Sequence, residues 1–288
     1  MSDGRGSTRI GGREFRWGER TFVMGIVNVT PDSFSGDGLL DDGPATAVAQ
    51  ARRMVEDGAD IVDVGGESTR PGHVDVSAHE EAKRVVPVIA AIRAALPDVP
   101  ISVDTTKASV ARAAAAAGAN LLNDVWGVAR DDTVIAVAAD LHLPIVLMHN
   151  RATPRYTNLM AEVIADLEGA IERALAAGVA RDDVIVDPGF GFGKTPLHNL
   201  EVLREMAVLR VLARPILLGT SRKSTLGRIL DLPPDQRLEA TLATTALGVA
   251  NGADIVRVHD VAANVRVVRT VDAIVRGTAG TLLREPAP

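Results

Sequence analysis

The amino-acid sequence predicts an α/β fold, namely a single-domain (β/α)8 barrel, also called a TIM barrel. Its 288 residues contain eight short apolar runs that alternate with helical stretches rich in alanine, arginine and glutamate. The runs are continuous rather than alternating in polarity, as expected for strands that are buried on both faces. Eight strand–helix units fit within the roughly 250 residues that are typical of this barrel.

The eight apolar runs are the predicted strands. They are Phe22–Val27, Ile61–Val64, Ile101–Val103, Leu121–Leu122, Pro144–Met148, Val184–Val186, Pro215–Leu218 and Ile255–Val258. The predicted helices alternate with these strands. They are Pro44–Asp57, Ala78–Leu96, Ala108–Ala117, Asp132–Ala139, Met160–Ala177, Asn199–Leu212, Leu238–Asn251 and Ala262–Val275. Glycine follows several of the helices, as expected for the left-handed residue that ends a helix.

No linker divides the chain, so we expect residues 14–288 to form the barrel domain and residues 1–13 to form a flexible N-terminal segment. Within the domain, Glu14–Arg20 is predicted to form a short cover beneath the barrel. A doubly wound open sheet is the alternative architecture, but such sheets usually have about five or six strands. The count of eight therefore favours the barrel.

The composition excludes several classes of protein. A net charge of −6 and a pI near 5.6 argue against a general nucleic-acid binder, which needs a basic face. The absence of cysteine excludes disulfides, thiolate nucleophiles and cysteine-ligated zinc. Residues 1–20 lack the apolar core of a secretory signal, and no run approaches the ~18 apolar residues of a membrane helix. We therefore expect a soluble cytoplasmic protein with no nucleic-acid or membrane partner.

Polar side chains stand at or just beyond the end of every predicted strand. They include Asn28, Asp63, Asp104, Asn123, His149, Asp187, Lys223, Arg257 and His259. A lone Asp or Asn in this position is more often a helix cap or turn residue. Because the carboxyl ends of barrel strands meet at one face, eight such positions together predict a polar pocket there.

The residue types in this pocket indicate its ligand. Ionised carboxylates such as Asp104 and Asp187 accept hydrogen bonds from neighbouring N–H groups, as on an amino-pyrimidinone ring. Clustered Arg, Lys and His side chains bind phosphate oxygens. Together they predict a heterocycle that carries a phosphate or diphosphate.

Two other motifs do not support a function. Gly191–Thr195 resembles the end of a nucleotide-binding P-loop, but position 188, where that motif needs glycine, is Pro188. The six histidines lack the His-Glu-x-x-His spacing of a zinc hydrolase.

Ordered motifs across residues 20–276 resemble those of the dihydropteroate synthase family. They are Met24–Ser35, Asp63–Gly72, Ser102–Thr105, Asn123–Trp126, Leu147–His149, Asp187–Lys194, Gly219–Ser224 and Arg257–Asp260. The resemblance implies a folate-pathway transferase on a (β/α)8 barrel. It would join 6-hydroxymethyl-7,8-dihydropterin diphosphate to 4-aminobenzoate and release diphosphate, with magnesium.

The resemblance also implies a role for individual residues. The pterin pocket carries over onto Asp104, Asn123, Val125, Met148, Asp187, Phe192, Gly219 and Lys223. The diphosphate site carries over onto Asn28, Arg70, Arg257 and His259, with the metal on Asn28. The aminobenzoate site carries over onto Phe34, Thr69, Pro71, Ser221, Lys223 and Ser224. The catalytic set is Asp104, Asp187, Lys223, Arg257 and His259.

Further expectations concern loops, assembly and inhibitors. Glycine and proline in Pro31–Gly38 and Gly65–Gly72 predict two lids that order on substrate, with ordinary surface loops as the alternative. A helix after Ser221 is expected to offer its N-terminal N–H groups to the aminobenzoate carboxylate. The resemblance implies a homodimer and inhibition by sulfonamides, which mimic aminobenzoate.

Two alternative functions remain open from the sequence. One is a pterin-binding methyltransferase that passes a methyl group from methyltetrahydrofolate to a corrinoid protein, which has no need of the cationic motifs at Lys223 and Arg257. The other is a catalytically silent homologue, in which a broken site residue would be expected. Diphosphate release on addition of both substrates distinguishes the synthase from either alternative.

Overall fold

The computed structural model describes residues 6–29, 43–67, 76–127 and 132–277. Within these ranges the strands are β1 Ser7–Ile10, β2 Arg13–Arg16, β3 Phe22–Asn28, β4 Ile61–Gly65, β5 Ile101–Asp104, β6 Leu121–Asp124, β7 Ile145–Met148, β8 Val184–Asp187, β9 Leu217–Leu218 and β10 Ile255–Val258. The α-helices are α1 Gly43–Glu56, α2 Ala78–Ala95, α3 Ala108–Ala117, α4 Thr133–Leu141, α5 Leu159–Ala176, α6 Pro196–Glu205, α7 Ser224–Leu230, α8 Leu238–Ala250 and α9 Val261–Val275. Short 3-10 helices span Arg181–Asp183, Met206–Leu212 and Pro234–Gln236.

The eight predicted strands form one parallel sheet in which neighbours along the chain are neighbours in space, from β3 to β10. The sheet closes on itself because Val186 in β8 bridges to Ile216, and the Val186 N–H donates to the Pro215 carbonyl at 2.9 Å. The predicted (β/α)8 barrel is confirmed. Strand β9 is shorter than predicted, since Pro215 has no N–H with which to extend the ladder.

The N-terminal segment differs from the prediction. Residues 1–13 were expected to be flexible, but strands β1 and β2 pair antiparallel with Ser7 opposite Arg16. Ile10, Phe15 and Trp17 are each at most 2% exposed. They pack with inward-facing residues at the start of the barrel strands, which leave an apolar opening that this hairpin fills. The cover predicted for Glu14–Arg20 lies beneath the barrel, whereas residues 1–5 lie outside the described ranges.

Two helical regions are also clearer in the structure. Helix α6 begins at Pro196, because the Thr195 hydroxyl accepts the His198 N–H at 3.2 Å and proline suits the first helical position. It ends at Glu205, so the rest of the predicted helix is the 3-10 stretch Met206–Leu212. The helix expected after Ser221 is α7, which precedes α8. Within the ranges that the structure describes, every helix is too short or too polar to cross a membrane.

Candidate functional site

The register of the sheet brings three predicted site residues to the same level at the carboxyl end of the barrel. Asn28 lies opposite Gly65, Gly65 opposite Asp104, and Asp104 opposite Asn123. Gly65 has no side chain, and a Cβ at that position would lie 3.8 Å from Asp104 Oδ2 and 3.9 Å from Asn28 Oδ1. The glycine therefore leaves the two side chains exposed to the same small space.

Arg257 joins two carboxylates at this level of the barrel. Its Nε donates to Asp63 Oδ2 at 2.6 Å, and its Nη2 donates to Asp104 Oδ2 at 2.7 Å. Asn123 Nδ2 also donates to Asp63 Oδ2, at 3.4 Å. The second oxygens of Asp63 and Asp104 are buried and make no hydrogen bond within the described residues. Asp63 was noted in the sequence only as a strand-end residue, and the structure shows that it orients both Arg257 and Asn123.

Burial and the neighbouring charges shift the pKa values of both Asp104 and Arg257. Burial raises the pKa of Asp104 to about 7, which Arg257 opposes and the Asp63 carboxylate reinforces. Burial also lowers the pKa of Arg257, but the carboxylates of Asp63 and Asp104 outweigh it, and the net shift is upward. The guanidinium is therefore firmly charged beside a carboxyl group that gains protons readily.

Asp187 occupies the end of β8 and is 6% exposed. Its Oδ1 accepts the Gly189 N–H at 2.7 Å. Burial raises the pKa of Asp187 to about 6, although the Gly189 N–H, Lys223 and Lys194 all act to lower it. The carboxylate is thus buried, and it gains or loses its proton close to neutral pH.

The remaining residues of the set predicted for pterin lie at or just beyond the carboxyl ends of the strands. The Lys223 ammonium lies 3.8 Å from the centroid of the Phe192 ring, within range of a cation–π contact. Met148 pairs in register with Asp187 and is 2% exposed. Val125 is buried just beyond β6, and a Cβ at Gly219 would lie 3.9 Å from Arg257 Cβ. The structure therefore brings this set to one end of the barrel.

Ser221 and His259 form a second pair at the ends of β9 and β10. Ser221 Oγ lies 2.9 Å from His259 Nδ1 and accepts the His259 backbone N–H at 3.2 Å. When the serine hydroxyl donates to Nδ1, the imidazole carries its own proton on Nε2, and an N–H of this kind can donate to an anion. Ser221 is buried, whereas Ser224 is exposed at the first position of α7.

The turn that carries Ser221 and Lys223 is held in an unusual conformation. Arg222 has a positive φ of 57°, which is costly for a residue other than glycine. Its guanidinium forms two hydrogen bonds with Asp260, at 3.1 and 2.7 Å. Arg237 donates to the carbonyl of Arg222 at 3.0 Å. Arg222, Asp260 and Arg237 were not among the predicted site residues, and their partners lie far apart in the sequence.

Four predicted site residues and the first predicted lid lie outside the described ranges. The residues are Phe34, Thr69, Arg70 and Pro71, and the lid is Pro31–Gly38. Only Gly65, Gly66 and Glu67 of the second predicted lid are described.

The base of the second loop is nevertheless well defined. Lys107 donates to Glu67 and, at 2.6 Å, to Glu81 Oε2. Glu67 Oε1 accepts the Val76 N–H at 2.8 Å and so connects the two ends of segment 68–75. Arg84 donates to the Gly66 carbonyl at 2.9 Å. These ionic contacts fix both ends of the loop against helix α2.

The oxygen atoms near Asn28 suit a hard metal ion that takes only one or two of its ligands from the protein. In the described part of the chain, no group of three or more Asp, Glu or His side chains is arranged to hold a metal ion. Magnesium, however, commonly binds one or two protein oxygens together with waters and substrate phosphates. The amide oxygen of Asn28, which faces the space beside Gly65, is compatible with that kind of site.

Comparisons with known proteins agree with this geometry. The family described as pterin binding enzyme matches residues 24–259. Dihydropteroate synthase from Clostridium beijerinckii is 51% identical over 269 residues, which cover 93% of this chain and 99% of that protein.

Solved structures are similar over the whole barrel. A dihydropteroate synthase from Clostridium difficile, crystallised in the presence of pteroic acid, is 47% identical with a TM-score of 0.88, and the match covers 91% of this chain and 99% of that one. The Xanthomonas albilineans enzyme with 4-aminobenzoic acid is 42% identical with a TM-score of 0.88, over 93% and 97% of the two chains. Because family, sequence and structure agree over nearly the full length, this chain belongs to the dihydropteroate synthases of the pterin binding enzyme family.

Proposed function

We propose that this chain transfers the pterinylmethyl group of 6-hydroxymethyl-7,8-dihydropterin diphosphate to 4-aminobenzoate, forming 7,8-dihydropteroate in folate biosynthesis. The observation that carries the proposal is Arg257, which bridges Asp63 and Asp104 at 2.6 and 2.7 Å at the strand ends. This bridge places a firmly charged cation beside carboxylates that suit a heterocycle. Such a site accommodates a ring and an anionic tail side by side.

The carboxylates are proposed to bind the pterin. Asp187 and Asp104 would accept ring N–H groups, and the Asn123 amide would add a donor and an acceptor. Phe192 and Met148 would cover the faces of the ring. Met148 is buried at the barrel end and Phe192 is half-buried beside Lys223, which supports this assignment.

The cations are proposed to bind the diphosphate. Arg257 and His259, together with Arg70 from the second loop, would neutralise the phosphate oxygens, and Lys223 lies between the two halves of the site. Asn28 would hold magnesium through its amide oxygen. When bound, the ion would stabilise the negative charge of the departing diphosphate.

The reaction requires stabilisation of diphosphate as the leaving group and does not require a strong base. The aniline nitrogen of 4-aminobenzoate is a neutral nucleophile, so it forms the C–N bond and then loses a proton. The C–O bond breaks, and its electron pair leaves with the diphosphate. We infer that departure runs ahead of attack, so that Asp104 and Asp187 favour the positive charge that develops on the pterin methylene.

The aminobenzoate is proposed to bind between the two loops and α7. Ser221 and the α7 N-terminus, with Ser224, would face its carboxylate, while Phe34, Thr69 and Pro71 would close over the ring. Sulfonamides, which resemble aminobenzoate, would compete for the same position.

We further propose a cytoplasmic homodimer. Val208 and Val211 of the 3-10 helix and Leu247 of α8 are 44%, 66% and 55% exposed. A Cβ at Gly252, just after α8, would lie 2.5 Å from Nε of Arg210 in the 3-10 helix, so these two regions are adjacent. An apolar surface of this kind supports a subunit contact, since exposed apolar side chains are better buried.

Diphosphate release tests the proposed activity. The purified protein is mixed with the pterin diphosphate and magnesium, and diphosphate is measured before and after 4-aminobenzoate is added. We expect release that depends on aminobenzoate and a pteroate product of matching amount. A protein that binds the pterin but releases no diphosphate is the silent homologue, and one that accepts only methyltetrahydrofolate is the methyltransferase.

A further inference from the structure

Lys194 is a buried lysine behind the site, and its ammonium group uses all three of its N–H donors. Nζ lies 2.7 Å from His149 Nδ1 and donates to the carbonyls of Gly189 and Phe192, each at 3.2 Å. Burial lowers the pKa of Lys194 to about 7, and the three acceptors around Nζ favour the ammonium form, which has three donors and no acceptor. In the sequence, Lys194 ends the motif Asp187–Lys194 and belongs to an apparent P-loop that the spacing excludes, but neither assigns it a role.

His149 connects this lysine to a carboxylate on helix α5. The ring is fully buried, and Nε2 lies 3.1 Å from Asp166 Oδ2. Burial, with the Lys194 ammonium, lowers the pKa of His149 to about 3, so the imidazole is neutral. An ionised carboxylate only accepts, so the ring proton lies on Nε2 and Nδ1 accepts from Lys194. Arg151 fixes Asp166 in turn, with Nε 2.8 Å from Oδ2.

The two carbonyls that Lys194 binds bracket the loop after β8. At one end, the Gly189 N–H donates to Asp187. Gly189 has a φ of 70°, and a Cβ there would collide with the His149 carbonyl oxygen, so the loop backbone lies directly against the strand end. At the other end, the Phe192 ring packs against the Lys223 ammonium. A displacement of this loop would therefore move both the Gly189 N–H that binds Asp187 and the Phe192 ring.

Within the described residues, loss of the ammonium would leave the Phe192 carbonyl and the His149 Nδ1 without their donor, whereas the Gly189 carbonyl would keep the Phe192 N–H at 3.1 Å. A buried polar group that loses its partner is unfavourable, so the loop would rearrange toward other donors. The Ser221–His259 pair and Arg257 lie on β9 and β10, and Lys194 makes no contact with them among the described residues. The effect should consequently be confined to the ring-binding half of the site.

We propose that Lys194, oriented by His149 and Asp166, is a positioning residue that fixes the Asp187–Phe192 side of the pterin pocket without touching the ligand. The inference rests on the proposed function, because it assigns that side of the site to the pterin ring. It differs from that function in placing an essential group behind the loop rather than in the pocket.

The test compares binding of the two halves of the substrate. Lys194→Met removes the donors and keeps most of the side-chain volume, and Lys83→Met makes the same change at an exposed lysine of α2. The probes are 6-hydroxymethylpterin, followed by its fluorescence, and inorganic diphosphate with magnesium, followed by calorimetry. We expect Lys194→Met to raise the Kd for the pterin about tenfold and to leave the Kd for diphosphate within about twofold. Lys83→Met should match the unmodified protein for both.

A second variant keeps the test decisive if Lys194→Met does not fold, which circular dichroism would reveal. Asp166 is 30% exposed, so Asp166→Asn should be well tolerated. It should weaken pterin binding about threefold, again with diphosphate binding unchanged. Folded variants that bind the pterin like the unmodified protein, or that lose both ligands equally, would overturn the inference. If the unmodified protein itself binds no pterin, the proposed function fails instead.

Discussion

At the scale of single residues, the site depends on side chains that meet from distant parts of the chain. Arg257 reaches Asp63 from 194 residues away and Asp104 from 153 residues away. The strand-end pattern predicted the positions of Asn28, Asp104, Asn123, Asp187 and Arg257. It did not predict which carboxylate pairs with Arg257, because register and side-chain direction are fixed only when the barrel closes.

Asp104→Asn tests the electrostatic role of that carboxylate. The variant keeps the shape of the side chain but removes the charge that is proposed to favour the cationic pterin methylene. We expect kcat at saturating substrates to fall about 10²-fold or more, as for other lost electrostatic contacts in active sites. Asp98→Asn, at an exposed position, is the matched control. Unchanged turnover in Asp104→Asn would contradict the dissociative order.

The pKa of Asp187 predicts a pH dependence of pterin binding. Burial raises this pKa to about 6, and only the ionised carboxylate accepts two ring N–H groups without donating. Affinity should therefore decline as the pH falls through about 7 and then about 6, where Asp104 and then Asp187 gain a proton, and each carboxylate should contribute at most about tenfold per unit. The Kd for 6-hydroxymethylpterin between pH 5 and 7.5 measures this. Asp187→Asn should bind weakly with no step near pH 6, and an identical step in that variant would assign the titration elsewhere.

At the scale of elements, the strands were predicted more accurately than the segments between them. Eight continuous apolar runs are a strong signal, whereas β1 and β2 contain only Ile10 and Phe15 as large buried residues. Their pairing becomes favourable only against the barrel floor, so the sequence pattern of the hairpin alone is weak. The ionic base of the second loop was also missed, since Lys107 lies 40 residues from Glu67 and 26 from Glu81.

Lys107→Met is predicted to destabilise the fold at that loop base. Glu81 is 1% exposed, and without Lys107 its carboxylate would be buried beside Glu67 with no cation. Removing one partner of a buried ion pair costs about 3–5 kcal/mol. Urea unfolding should show a free energy of unfolding lower by roughly 3 kcal/mol, with Lys83→Met close to the unmodified protein. A change below about 1 kcal/mol would mean that the carboxylates find other donors.

At the scale of the whole molecule, the two ends of the barrel have different tasks. The amino end holds a packed apolar cluster of Phe15, Trp17 and Phe22, with Phe15 and Phe22 ring centroids 4.7 Å apart. The carboxyl end holds the buried charges of the candidate site. That concentration was predictable from the sequence, since polar residues follow every strand, although polar residues such as Asp60, Asn120 and Asp254 also directly precede strands.

The outer surface carries the prediction for assembly. Val211→Asp and Leu247→Asp each place a charge on the apolar surface proposed for the homodimer. We expect light scattering to show a dimer for the unmodified protein and a shift toward monomer for both variants. Leu197→Asp, at another exposed apolar position, shows whether any surface charge has this effect. A protein that is monomeric from the outset would contradict the proposed contact.

The N-terminal hairpin has a consequence for the order of events in turnover. Ile10, Phe15 and Trp17 close the amino end of the barrel. In the described barrel, substrates and products must therefore enter and leave at the carboxyl end. This shared route applies to both substrates, to diphosphate and to 7,8-dihydropteroate. The molecule bound nearest the carboxyl end therefore controls when a molecule bound deeper in the barrel can bind or dissociate.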